Sequence, residues 1–125
     1  MQYMQTSTKS VQEIVDAIKE ISPSYKFGVL HVHNIQETLK SKGFEFPNDC
    51  QVLDICNPNV AMQFLSEDIT LAAIMPCKIA VYTQEGKTTI ALNSLAQLVD
   101  DINPDLIDLA QDTQETLLEM IEKVK

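Results

Sequence analysis

The chain has no arginine and no tryptophan, and its nine cations are all lysines against 18 acidic residues, a formal net charge of −9. Phosphate-backbone binding needs clustered cations, and base or carboxylate recognition relies on the bidentate guanidinium fork. Nucleic acid and anionic membrane surfaces are therefore excluded as partners. No run approaches the roughly 18 apolar residues of a membrane-spanning helix. Only three glycines occur, Gly28, Gly43 and Gly86, too far apart to form a phosphate-cradling loop. GxSxG, HExxH and CxxC motifs are all missing, and no paired-carboxylate motif stands out. Three cysteines, Cys50, Cys56 and Cys77, are an odd count without disulfide-framework spacing, so free thiols in a reducing compartment are expected. The first seven residues lack the basic and apolar regions of a secretion signal. The expected location is cytoplasmic.

What is present suits one globular domain, 1–125, with 45% hydrophobic residues, enough for a core without covalent staples. Tyr3–Thr8 reads as a first strand. Ser10 and Glu13 form a capping-box pair, and Val11, Ile14, Val15, Ile18 and Ile21 recur at helical spacing up to Pro23. Phe27–His33 is β-rich, and Asn34 with Glu37 opens a short helix that stops at Gly43. Gln51–Cys56 reads as a third strand with Leu53 and Ile55 on one face. Asn57 is a natural N-cap with Pro58 at the first helical position, and Val60, Ala61, Phe64 and Leu65 form a stripe behind them.

Leu71–Tyr82 is a long apolar stretch interrupted by Pro76, which predicts a sheet edge or a bulge at the proline. A hairpin loop at Gln84–Lys87 leads to a last strand, Thr88–Asn93. Ser94 caps a helix to Ile102, and Pro104 starts a long final one with Leu106, Leu109, Ala110, Thr113, Leu117, Ile121 and Val124 along one side. The order β-α-β-α-β-α-β-β-α-α predicts an α+β two-layer sandwich: a mostly antiparallel sheet of about five strands with helices packed on it. Asp100, Asp101, Asp105, Asp108, Asp112, Glu115, Glu119 and Glu122 read as a solvated helix face, or as a docking face for a basic partner.

The chemistry concentrates in two tripeptides, Cys56-Asn57-Pro58 and Met75-Pro76-Cys77. A helix starting at Asn57 would favour the Cys56 thiolate through its dipole. Strand alternation, however, places Cys56 with Asp54 and Cys77 with Ile79 and Val81, on opposite faces. Either cysteine would also serve as a small buried hydrophobe. His31 and His33, at i and i+2 of a strand, project from one face as half of a metal site, which Asp54, Cys56 or another acid from a neighbouring strand would have to complete. Glu37 and Thr38 either cap their helix locally or line a pocket.

Four blocks, in order, carry a family resemblance: Tyr25-Lys26-Phe27-Gly28-Val29-Leu30; Glu37-Thr38-Leu39-Lys40; Cys56-Asn57-Pro58 with Ala61; and Met75-Pro76-Cys77-Lys78 leading to Val81-Tyr82. With them the chain resembles the domain of unknown function 302 family over nearly its whole length. The resemblance implies a compact α+β domain of prokaryotic type, commonly dimeric, without an established activity. That pattern usually has a small residue two before the first cysteine and a leucine before the proline; here Asp54 and Met75 stand there.

The expected function is binding of a small molecule at a pocket near Cys56, Asn57, Pro76 and Cys77, with Glu37 and Thr38 as further contacts, in a homodimer. Two alternatives stand beside it. One is a thiol-dependent redox protein or enzyme using Cys56, with Cys77 as a second candidate. The other is an interaction module using the acidic C-terminal helix. The sequence specifies no cofactor, substrate or reaction.

Overall fold

The computed structural model describes residues 2–125. Ser10 opens the first helix (α1, Val11–Ile21) with both halves of a capping box: the Glu13 N–H donates to Ser10 Oγ and the Ser10 N–H to Glu13 Oε1, each at 3.1 Å. These bonds satisfy two amides that a helix start leaves orphaned. Val11, Ile14, Val15 and Ile18 then fall on one face, and all four are buried. Asn34, Asn57 and Ser94 cap α2 (Ile35–Ser41), α3 (Pro58–Glu67) and α4 (Leu95–Ile102) with the first of these bonds alone, each accepting a backbone N–H three residues on. The last helix, α5, runs Ile107–Val124.

Five strands, β1 (Gln2–Ser7), β2 (Gly28–Asn34), β3 (Cys50–Cys56), β4 (Cys77–Gln84) and β5 (Lys87–Asn93), form one antiparallel sheet in the order β1-β5-β4-β3-β2. The first and last strands in sequence are thus neighbours. Glu85 and Gly86 join β4 to β5 with φ of 52° and 78°, the left-handed pair that a two-residue hairpin turn requires. Along β3 the period-2 alternation is complete: Gln51, Leu53 and Ile55 are buried, while Cys50, Val52, Asp54 and Cys56 are half-buried.

The buried face of the sheet meets α1 and α5. Leu53, Ile55, Ile79, Val81, Ile90 and Leu92 pack against Val11, Ile14, Ile18, Leu117, Met120 and Ile121, each full burial contributing about 1.5–3 kcal/mol. A second, smaller core gathers Phe64 of α3, Leu71, Leu95 and Val99 of α4, and Ala110 of α5. Helix α5 therefore serves both cores, its first turns the smaller and its later turns the larger. Among the described residues no helix is long and apolar enough to cross a membrane.

The architecture is the expected one, with three local departures. The apolar stretch from Leu71 to Tyr82 is not one extended segment. Ile69–Ile74 winds as a 3₁₀ helix, which Asp68 opens by accepting the Thr70 N–H, and β4 starts only at Cys77. Pro76 marks neither an edge nor a bulge: it follows a cis peptide bond just before β4, an interior strand between β3 and β5. The register shift lies in β2 instead, between Val29 and His31. Finally, Pro104–Leu106 is a 3₁₀ turn ahead of α5, whose buried stripe includes Met120 and Gln114. Gln114 is buried with both ends of its amide engaged: Oε1 accepts from Ser94 Oγ (2.7 Å) and the Ala96 N–H (3.0 Å), and Nε2 donates to the Tyr3 hydroxyl (3.1 Å).

Candidate functional site

Cys56 is the last residue of β3 and Cys77 the first of β4. Across that ladder Cys77 pairs with Ile55, so Cys56 is the next residue beyond its partner. Behind Cys56 the chain turns directly into α3, with Asn57 Oδ1 accepting the Val60 N–H at 3.3 Å and Pro58 in the first turn. On the other side of β3, Gly28 of β2 stands opposite Cys56. Gly28 has no side chain, and a Cβ added there would meet nothing within 4 Å. Leu30, the extra residue at the register shift, is 63% exposed, as a bulge that re-aims one side chain leaves it.

These elements enclose a cavity of about 270 Å³. Phe27, Leu30 and Ile55 form one wall; Val60, Ala61 and Phe64 of α3 another; Met75, Pro76 and Cys77 a third, with Cys56, Asn57 and Thr113 completing it. No Asp, Glu, Lys or His lines it. A second cavity of about 200 Å³ shares Met75, Pro76, Cys77 and Leu95 with the first and reaches Lys78 and Asn93 on its other side. Cys77 packs against both hydrophobic cores. The site is thus the seam where they meet.

Cys56, Asn57, Pro76 and Cys77 accordingly come together around one space. The alternation that separates the two cysteines does hold within the strands: Cys56 shares the half-buried face with Asp54, and Cys77 the face of Ile79 and Val81. It does not keep them apart, because the cavity lies past the strand ends, where side chains of both parities can reach it. Burial raises the thiol pKa of Cys56, and pushes that of Cys77 up to about 11, where proximity to Cys56 adds to the effect. Cys50, at the far end of β3, is raised by burial and then by the charge of Asp49. No cation acts to lower any of the three.

His31 and His33 sit on one face of β2, their ring centroids 4.4 Å apart. His33 Nε2 lies 2.8 Å from Asp54 Oδ2, and Lys78 Nζ donates to Asp54 Oδ1 at 2.6 Å. Asp54 thus bridges three adjacent strands. Its carboxyl is held below the usual range, first by the Lys78 hydrogen bond and then by that from His33. The charge that Asp54 brings near the site is neutralised here by Lys78 and does not line the cavity. Among the described residues no three His, Cys, Asp or Glu side chains gather as a metal-binding group.

Glu37 and Thr38 lie apart from the thiols. They are exposed on α2 and border a shallow depression with His31, His33 and Ser41. The Glu37 N–H donates to Asn34 Oδ1 at 3.0 Å; Asn34 is the cap, and the Glu37 side chain does not return the bond as Glu13 does to Ser10. All eight acids of the C-terminal segment are exposed, a solvated face. Phe27 and Leu30, from the first family-like block, and Thr113, from the α5 stripe, line the cavity although none was expected as a site residue. For Leu30 a signal exists, since adjacent Val29 and Leu30 break the alternation expected of a half-buried strand.

A family model described as "Domain of unknown function DUF302" matches residues 3–124. The chain is also similar to a solved structure, an uncharacterized conserved protein DUF302 from Bacillus stearothermophilus. The two share 28% identity over 99% of this chain and 98% of that one, with a TM-score of 0.95. No curated protein matches the chain.

Proposed function

The chain belongs to the DUF302 family, a domain of unknown function, and from that premise we propose that it binds a small, uncharged, largely apolar molecule in the cavity at the seam of its two cores. The observation carrying this reading is the lining. Aromatic and aliphatic walls from Phe27, Leu30, Val60 and Phe64 surround a few weakly polar groups, Cys56, Asn57 and Thr113. Small-molecule sites have that composition, and the cavity, at about 270 Å³, lies just below their usual range of about 300–1,000 Å³, as suits a small ligand. An organic ion would lose its hydration there and find no side chain of opposite charge.

The raised thiols favour binding over thiolate catalysis, since the thiolate is the nucleophile and nothing nearby stabilises it. Free thiols in such a site suit a reducing compartment such as the cytoplasm.

Indole and other neutral aromatic probes test the reading. Binding should raise the melting temperature and shift NMR signals of Phe27, Val60 and Phe64. Ala61→Phe, which fills the cavity from α3, should abolish both effects. Probes that perturb other surfaces, or none that bind, would overturn it.

We further infer that two copies pair through the sheet face opposite α1 and α5. The register aligns Met4, Ala91, Ala80 and Val52 in one apolar row across four strands, and Met4 is 59% exposed. Light scattering should report a dimer that Ala80→Glu converts to a folded monomer. A wild-type monomer at every accessible concentration would refute the pairing.

A further inference from the structure

The thiol wall of this cavity has a composition that the binding of an apolar molecule does not use. Three sulfur-bearing residues, Cys56, Met75 and Cys77, line the same space. Cys56 and Cys77 line one cavity, and Cys56 immediately follows the residue paired with Cys77. All three cysteines of the chain are free. We propose that Cys56 and Cys77, with Met75 as a third sulfur, form a binding site for a soft monovalent metal ion of the Cu(I) type. The proposal rests on the same cavity being open to ligands.

The argument is one of ligand number and softness. A structural zinc site takes four protein donors of Cys, His or carboxylate type, and no His, Asp or Glu lines this cavity. Hard ions require several oxygens, whereas thiolates and thioethers select Cu(I). The mostly apolar surroundings, Phe27, Val60 and Phe64 among them, shield the ion from water, and the two side-chain oxygens of the lining are already engaged, Asn57 Oδ1 by the Val60 N–H and Thr113 Oγ1 on the Leu109 carbonyl. Coordination replaces both thiol protons: Cu⁺ and two thiols give one dithiolate-copper anion and two protons released to solvent, with no change of oxidation state. Met75 adds a neutral donor. Cys77 lines both cavities.

Anaerobic titration of the reduced protein with Cu(I), against a chromophoric chelator, provides the test. One ion per chain should bind, and X-ray absorption at the copper edge should show a sulfur-only shell. Cys56→Ser and Cys77→Ser should each weaken binding by more than the ~10–100-fold that loss of an outer partner costs a metal site. Met75→Leu, an apolar replacement of similar size, should weaken it by about 10-fold, and Cys50→Ser should leave it unchanged. If Cys77→Ser fails to fold, Cys56→Ser and Met75→Leu carry the same test. Equal copper affinity in Cys56→Ser, or a shell containing nitrogen or oxygen, would overturn the site. Refusal of copper by protein that still binds indole would sink this proposal alone. Copper bound at Cys56 and Cys77 by protein that ignores neutral probes would sink the small-molecule reading alone.

Discussion

Phe64→Ala should lower the unfolding free energy by about 3–5 kcal/mol, the range for truncating a buried phenylalanine. Phe64 is 1% exposed and is the largest side chain of the smaller core, where it meets Leu71, Leu95, Val99 and Ala110. Its other side faces the cavity, so the protein cannot close over the void by a small shift: open space already lies beyond. For a domain whose total stability is of the usual order, about 5–15 kcal/mol, that is a large share. Chemical denaturation should show a much lower midpoint with an unchanged slope. A loss below about 1 kcal/mol would mean that the smaller core adds little to cooperative stability.

The second large effect concerns Cys77. With its thiol pushed up to about 11, its thiolate fraction at neutral pH should be about 100-fold below that of an ordinary thiol. Alkylation of folded protein should therefore spare Cys77, and unfolding should restore its reactivity. The same displacement makes stability depend on alkaline pH. The unfolded chain loses the Cys77 proton near the ordinary thiol value, while the folded chain keeps it until about pH 11. Between those points the unfolded state binds fewer protons, so stability falls as pH rises. The contribution is complete below the ordinary thiol pKa and gone above the folded one, a span of about 2–3 kcal/mol. The measurement is a difference between parent and variant. Cys77→Ser should show a shallower alkaline decline than the parent, and parallel pH curves would refute the assignment.

Much of the architecture was legible in local chemistry. Ser10 with Glu13, Asn34, Asn57 before Pro58, and Ser94 each mark a helix start that the structure reproduces. A cap needs only an oxygen and an amide a few residues apart. The α1 stripe and the β3 alternation are equally local. The 3₁₀ turn at Ile69–Ile74 was not legible. An apolar run of that length has no period that separates helix from strand, and the decisive events are the Asp68 cap and the burial of Leu71 beneath α4.

The cysteines divide the same way. Their neighbours in sequence dictate that each sits where a strand ends, because Asn57 and Pro58 must start a helix and Pro76 cannot donate to a ladder. They also dictate opposite facing within the sheet, and that is what the strands show. What brings both thiols to one space is long-range: the antiparallel register that sets Cys77 against Ile55, the register shift at Leu30 beside Gly28, and α3, α4 and α5 closing over the strand ends. Alternation is a property of one strand, whereas a cavity beyond the sheet is bounded by several elements at once. Cap and period chemistry placed the cysteines at strand ends; only the packing of two cores against each other made those ends into a site.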